Sequence, residues 1–218
     1  MLRKTIKYYS PNFDPKKREK KLINFLIFHY TGMKTEKKAL KKLTDIQSEV
    51  SSHYLIKKNG EIISLVPDLY IAWHAGVSSW KNQTHLNKNS IGIEITNPGH
   101  EFGYKKFTKK QINSLIILSS YLIKKYRIAK NNILGHSDVS IDRKKDPGEN
   151  FPWKYLAKKK IGVWHKIKKD RLLLLRKKRC NQLMKKIFIK NLIKFGYCKK
   201  INSLNGNKKY SKLITKSF

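Results

Sequence analysis

The sequence predicts an α/β fold: a central mixed β-sheet flanked by helices, followed by a small basic helical extension at the C-terminus. Three observations carry this. Short apolar runs of strand character alternate along the chain with longer segments of helical period. One stretch, SSHYLIKKNGEIISLV (51–66), reads as a hairpin around Asn59-Gly60, so the sheet is not purely parallel. The composition then shifts after about residue 165: residues 154–218 hold 22 Lys+Arg and a single acidic residue, Asp170.

The elements follow in order. Residues 1–21 are polar, basic and contain Pro11 and Pro15, and are expected as a surface segment wrapping the domain. LINFLIFH (22–29) is short, rich in Ile and Phe, and reads as a buried strand ending on His29. In TEKKALKKLTDIQSEV (35–50), Thr35 is a helix N-cap, and Ala39, Leu40, Leu43, Ile46 and Val50 form the apolar stripe. SIGIEIT (90–96) alternates and reads as a strand containing Glu94. FTKKQINSLIILSSYLIKKYRI (107–128) is the strongest helix, with Thr108 and Gln111 at capping-box spacing. ILGH (133–136) is a short strand leading into the loop GHSDVSIDRKKDPG, and FPWKYLAKK (151–159) starts another helix with Pro152 in its first turn. The domain is placed at 22–165. Residues 166–218 form a basic helical region, with Met184, Phe188, Leu192 and Phe195 at helical spacing.

The chain carries 50 Lys+Arg against 14 Asp+Glu, a formal charge of +36. Such a surface attracts polyanions: nucleic acid, anionic lipid or an acidic polymer. The joint abundance of Lys, Ile and Asn is also what an AT-rich coding sequence produces. No nucleic-acid-binding signature accompanies the charge, so no specific nucleic-acid partner is expected. Cys180 and Cys198 form no metal or redox motif and read as free thiols. The N-terminus lacks the apolar segment of a secretory signal, and no run is long enough to span a membrane. The default expectation is a cytoplasmic monomer, with an envelope location as the alternative.

The chemistry rests on histidines and carboxylates. Of seven histidines, His29 and His136 each end a short strand, where side chains project into a common crevice. Asp146 follows ten residues after His136, anchored by Pro147-Gly148. Two imidazoles and one carboxylate, with a fourth position for water, are the donor set of a catalytic Zn²⁺ site. Spacing alone is a weak signal: there is no HExxH, and Asp138 and Asp142 offer alternative carboxylates in the same loop. These two are read as loop-stabilising, His53, Trp73 and Trp80 as structural, and His85, His100 and His165 as surface residues.

Five stretches, in order, carry a resemblance: FLIFHYTGM (25–33), SSHYLIKKNGEIISLVPD (51–68), AWHAGVSSW (72–80), SIGIEITNPG (90–99) and GHSDVSIDRKKDPG (135–148). Over roughly residues 10–165 the chain resembles the type 2 N-acetylmuramoyl-L-alanine amidases, the AmpD/AmiD-like zinc amidases related in fold to peptidoglycan-recognition proteins. The resemblance implies His29, His136 and Asp146 as zinc ligands, Glu94 as the catalytic acid/base and Lys144 as the group that stabilises the oxyanion. It makes His74, in AWHAG, a candidate substrate contact. It implies hydrolysis of the amide between N-acetylmuramic acid and L-alanine, in intact peptidoglycan or in soluble anhydro-muropeptides. A muropeptide-binding protein of the same fold that does not cut is the alternative. LMKKIFIKNLIKFGY (183–197) with YSKLITKSF (210–218) resembles in part the small helical peptidoglycan-binding domain often fused to these amidases.

Overall fold

A computed structural model describes residues 5–177 and 181–197. In chain order the strands and helices are β1 (Thr5–Lys7), β2 (Phe13–Asp14), β3 (Phe25–Tyr30), α1 (Glu36–Thr44), β4 (Tyr54–Ile56), β5 (Ile62–Ser64), β6 (Ile71–Ala72), β7 (Ser79–Trp80), β8 (Gln83–Thr84), β9 (Ser90–Ile95), α2 (Lys109–Tyr126), β10 (Ile133–Gly135), α3 (His136–Val139), α4 (Trp153–Lys158), α5 (Lys169–Lys177) and α6 (Gln182–Phe195). Six strands form the main sheet in the order β1-β5-β4-β9-β3-β10. β4, β9, β3 and β10 run parallel, and the β4–β5 hairpin reverses direction, so the sheet is mixed as expected. Gly60 takes φ +89° in the hairpin turn, a conformation that glycine adopts without a Cβ clash.

β3 and β9 lie at the centre, and this explains their sequences. Phe25, Leu26, Ile27 and Phe28 are all buried, because both faces of the strand are covered. β9 was expected to alternate between core and solvent. Instead Ser90 through Ile93 are all buried, for the same reason. One face of the sheet, with Leu26, Phe28, Ile91, Ile93 and Ile95, packs on α2 through Leu115, Leu118 and Leu122. Each fully buried leucine contributes about 1.5–3 kcal/mol. The capping box of α2 is present: Gln111 N donates to Thr108 Oγ1 (3.1 Å) and Thr108 N donates to Gln111 Oε1 (3.0 Å). The opposite face holds Phe25, Ile27, Trp80, Leu86 and Leu134, together with Leu192 of α6.

Two expectations differ from the structure. The N-terminal segment does more than wrap the surface: β1 pairs in parallel with β5 as an edge strand, and Ser10, Asn12 and Arg18 are buried. The helix after Thr35 stops at Thr44 rather than reaching Val50. Its cap is as expected, with Lys38 N donating to Thr35 Oγ1 (3.2 Å). The Asp45 side chain then accepts from Gln47 N (3.0 Å), a local bond that competes with the helix and turns the chain into a short 3₁₀ segment, leaving Ile46 exposed. The basic C-terminal region is helical as expected: its described residues form α5 and α6, and α6 docks on the domain. α6 buries Leu192, and the Trp80 ring meets Phe195 and Tyr197 edge-on at 5.7 and 4.8 Å. Cys180, Cys198 and the stretch 210–218 lie outside the described residues. Among the described residues no helix is long and apolar enough to cross a membrane.

Candidate metal centre and active site

The parallel strands deliver the site from their C-terminal ends. His29 and Glu94 are register partners on β3 and β9, so the two side chains leave the sheet on the same face. Gly135 of β10 pairs with Phe28, which sets His136, the next residue, beside His29. The loop after α3 then folds back: Ser137 N donates to Asp146 O (2.8 Å), returning Asp146 to the start of α3. Asp138, read as loop-stabilising, accepts from Gly135 N (2.8 Å) and from Tyr197 OH (2.6 Å). Arg143 straps the loop, donating to the carbonyls of Ala75 (2.7 Å) and Val77 (2.6 Å).

His29 Nδ1, His136 Nδ1 and Asp146 Oδ2 form a nearly equilateral triangle. The sides are 3.0 Å between the imidazoles, 3.1 Å from His29 to Asp146 and 3.0 Å from His136 to Asp146. All three residues are buried. Tetrahedral coordination at ~2.0–2.1 Å places ligand atoms ~3.3 Å apart, close to these sides. The donor chemistry fits a divalent cation as well. His136 Nε2 donates to Ala75 O (3.2 Å), so in the neutral ring Nδ1 carries only its lone pair. That lone pair faces an anionic oxygen and a second imidazole nitrogen, an arrangement a cation between them satisfies. Burial alone would raise the Asp146 carboxyl, but the imidazoles, His136 foremost, hold it well below the usual carboxylate range. His29 is lowered to about 4 by burial and by His136 beside it. Both shifts favour the deprotonated forms that bind metal.

The site opens into a cleft of about 490 Å³ lined by Glu94, His136, Lys144, Asp146, Trp73 and His74, among others. Among the described residues, Glu94 Oε2 is buried and meets no hydrogen-bond partner. Burial, then the charge of Asp146, pushes the Glu94 carboxyl up to about 8. Lys144 is half-buried and lines the same cleft. His74, expected as a substrate contact, only edges the cleft: it is 8 % exposed, and its two ring nitrogens are engaged by His29 and Ser90. His53 is structural in its contacts, accepting from Gly92 N (3.0 Å) and lying 3.1 Å from Tyr70 O. Trp73, read as structural, lines the cleft as well, while its Nε1 donates to Asp14 Oδ1 (3.0 Å). Sequence reasoning missed Ser90, Asn87 and Arg143. They carry no motif signal, and their roles come from partners distant in the chain.

The family model for N-acetylmuramoyl-L-alanine amidase matches residues 18–149, which contain every residue of this cleft named above. The chain belongs to this amidase family. Among curated relatives, the N-acetylmuramoyl-L-alanine amidase AmiD of Escherichia coli is 42% identical over 154 residues, covering 65% of this chain and 55% of AmiD. The 1,6-anhydro-N-acetylmuramyl-L-alanine amidase AmpD of Citrobacter freundii is 39% identical over 104 residues, covering 48% of this chain and 54% of AmpD. The chain thus spans little more than half the length of each. A solved structure of E. coli AmiD in complex with anhydro-N-acetylmuramic acid-L-Ala-D-γ-Glu-L-Lys superposes with a TM-score of 0.68 at 36% identity, over 81% of this chain and 72% of that one. The mixed sheet with its flanking helices is therefore the amidase-family fold.

Proposed function

We propose that this chain is a zinc-dependent amidase that hydrolyses the bond between N-acetylmuramic acid and L-alanine, with anhydro-muropeptides as substrates and intact peptidoglycan as a further one to be tested. The observation that carries the reading is the convergence of three metal-type ligands beside a buried carboxyl oxygen with no hydrogen-bond partner among the described residues. A structural metal site has no use for that second group; hydrolysis needs it. The relatives' names, and the muropeptide bound in the AmiD structure, support the substrate class.

His29, His136 and Asp146 would hold the zinc. When bound, zinc polarises a carbonyl and lowers the pKa of water in contact with it to about 7. Glu94 takes a proton from the attacking water as the water oxygen bonds to the amide carbon. It passes that proton to the nitrogen of L-alanine as the C–N bond breaks, leaving a lactyl carboxylate and a free amine. Burial, then the charge of Asp146, holds the Glu94 carboxyl at about 8 with no metal bound, and a cation held by His29, His136 and Asp146 would lower it toward about 7, where one group can both take up and release a proton. Lys144 supplies positive charge where the carbonyl oxygen becomes anionic. We assign catalysis to residues 22–165, and to the basic region 166–218 a role in holding the acidic polymer.

Substituting Glu94→Gln separates cutting from holding. The amidase reading expects zinc and muropeptide still bound, with turnover reduced by ~10²–10⁴-fold. A wild-type protein that binds muropeptide and zinc and releases no peptide is instead a recognition protein of the same fold.

A further inference from the structure

We propose that the segment His74–Ala75 is a positioning element that sets the tautomers of both imidazole ligands, through a relay from Ser90 to His74 to His29 and a carbonyl from Ala75 to His136. This rests on the reading of His29, His136 and Asp146 as metal ligands.

The relay follows from counting protons. Ser90 has one hydroxyl hydrogen, and it donates to Leu86 O at 2.5 Å. A carbonyl cannot donate, so that hydrogen is committed. Ser90 Oγ must then accept from His74 Nε2, 3.1 Å away. His74 has Ser90 and His29 as its partners, neither of them anionic, and the neutral ring with Nε2–H leaves Nδ1 bare. Nδ1 lies 3.1 Å from His29 Nε2, so it accepts a hydrogen bond from His29 Nε2–H. His29 therefore keeps its hydrogen on Nε2 and turns a bare Nδ1 toward His136 and Asp146. A serine hydroxyl two links away fixes which nitrogen of His29 binds metal.

The backbone is arranged to hold this relay. Asn87 Oδ1 accepts from both His74 N (3.2 Å) and Ala75 N (2.7 Å), clamping the segment from behind. The adjacent carbonyl, Ala75 O, is the acceptor for His136 Nε2 at 3.2 Å. One clamped dipeptide thus reaches the outer nitrogen of one ligand directly and of the other through its side chain. β9 yields to it: a Cβ at Gly92 would come within 2.4 Å of His74 Cγ. A glycine in a central strand costs roughly 0.5–1 kcal/mol, so its presence in SIGIEI is accounted for by the ring lying against it.

The test reads tautomers and metal affinity, not turnover. Long-range ¹⁵N couplings of the imidazoles in the metal-free wild-type protein at pH 7.5 are expected to show His29 and His136 protonated at Nε2. In Ser90→Ala, His74 loses its acceptor, and His29 is expected as a mixture of tautomers. Zinc affinity, measured by chelator competition, is expected to fall ~10–100-fold in Ser90→Ala and in His74→Ala, the range for removal of a partner that orients a ligand. Metal-free unfolding curves identify any variant that fails to fold, and the wild-type tautomer stands independently of both. A wild-type His29 protonated at Nδ1, or a folded Ser90→Ala with unchanged zinc affinity, overturns the relay. Wild-type protein that binds no zinc removes the metal reading instead, while the tautomer measurement still decides the relay.

Discussion

Glu94 has a buried carboxyl oxygen that no group among the described residues satisfies, next to a cluster in which both ring nitrogens of His29 and of His136, and Asp146 Oδ2, are engaged. Buried polar groups are normally paired, so such an orphan marks a place where substrate or water completes the bonding. Lys144 faces the same cleft. Changing Lys144→Met should lower kcat by ~10²–10³-fold with zinc affinity unchanged, the usual loss when one oxyanion-stabilising group is removed. Steady-state kinetics with a metal titration checks this, and a loss below tenfold takes Lys144 out of the reaction. At this scale the sequence was legible where a chemistry-bearing residue sat at a strand end. His29 and His136 could be placed because strand ends of an α/β fold project into a common crevice, whereas Glu94 was reached only through the family resemblance of SIGIEITNPG. Ser90, Asn87 and Arg143 could not, since a serine, an asparagine and an arginine acquire meaning only from what they touch.

Among the elements, those whose local and tertiary demands agree were readable. α2 has its capping box and its apolar stripe in the same register, and the β4–β5 hairpin has its turn dipeptide. α1 was read too long because Ile46 and Val50 continue its period, while Asp45 at its end prefers a side-chain bond to Gln47 N over another helical turn. β1 was missed because a three-residue strand, TIK, has too little pattern to announce itself; it exists because β5 offers an open edge. α6 shows the same dependence on partners. Its docking rests on Leu192, which packs with Phe25, Ile27 and Trp80 on the face of the sheet that carries His29. Leu192→Ala should cost about 2–5 kcal/mol through the cavity left behind. Denaturant unfolding of the full chain measures it. A change below about 0.5 kcal/mol means that α6 contributes nothing to the stability of the domain.

For the molecule as a whole, two features bear on behaviour in solution. The first is its buried histidines. Burial, then Arg18, lowers His53 to about 3, and His29 stands at about 4. Unfolding releases both toward the ordinary value near 6.5, so between these limits the unfolded chain binds more protons than the folded one. The contribution of these two histidines is therefore full above about pH 6.5 and falls with decreasing pH, by up to ~1.4 kcal/mol per pH unit for each group, while Glu94, held up near 8, has the opposite slope and offsets part of it. Urea unfolding of the metal-free protein at pH 7, 5.5 and 4.5 should show this slope, and a flat profile contradicts it. The second is the charge of +36, which predicts long-range attraction to acidic polymers but says nothing of which bond is cut. That question belongs to the cleft, and one measurement addresses it directly. Metal-free protein is mixed with an anhydro-muropeptide, zinc is titrated in, and products are followed by mass spectrometry. The account predicts no cleavage without metal, and activity that rises to a plateau at one zinc per chain as the anhydro-muramic acid and the free peptide beginning at L-alanine appear. Intact muropeptide after zinc loading, or equal cleavage before and after metal removal, would contradict it.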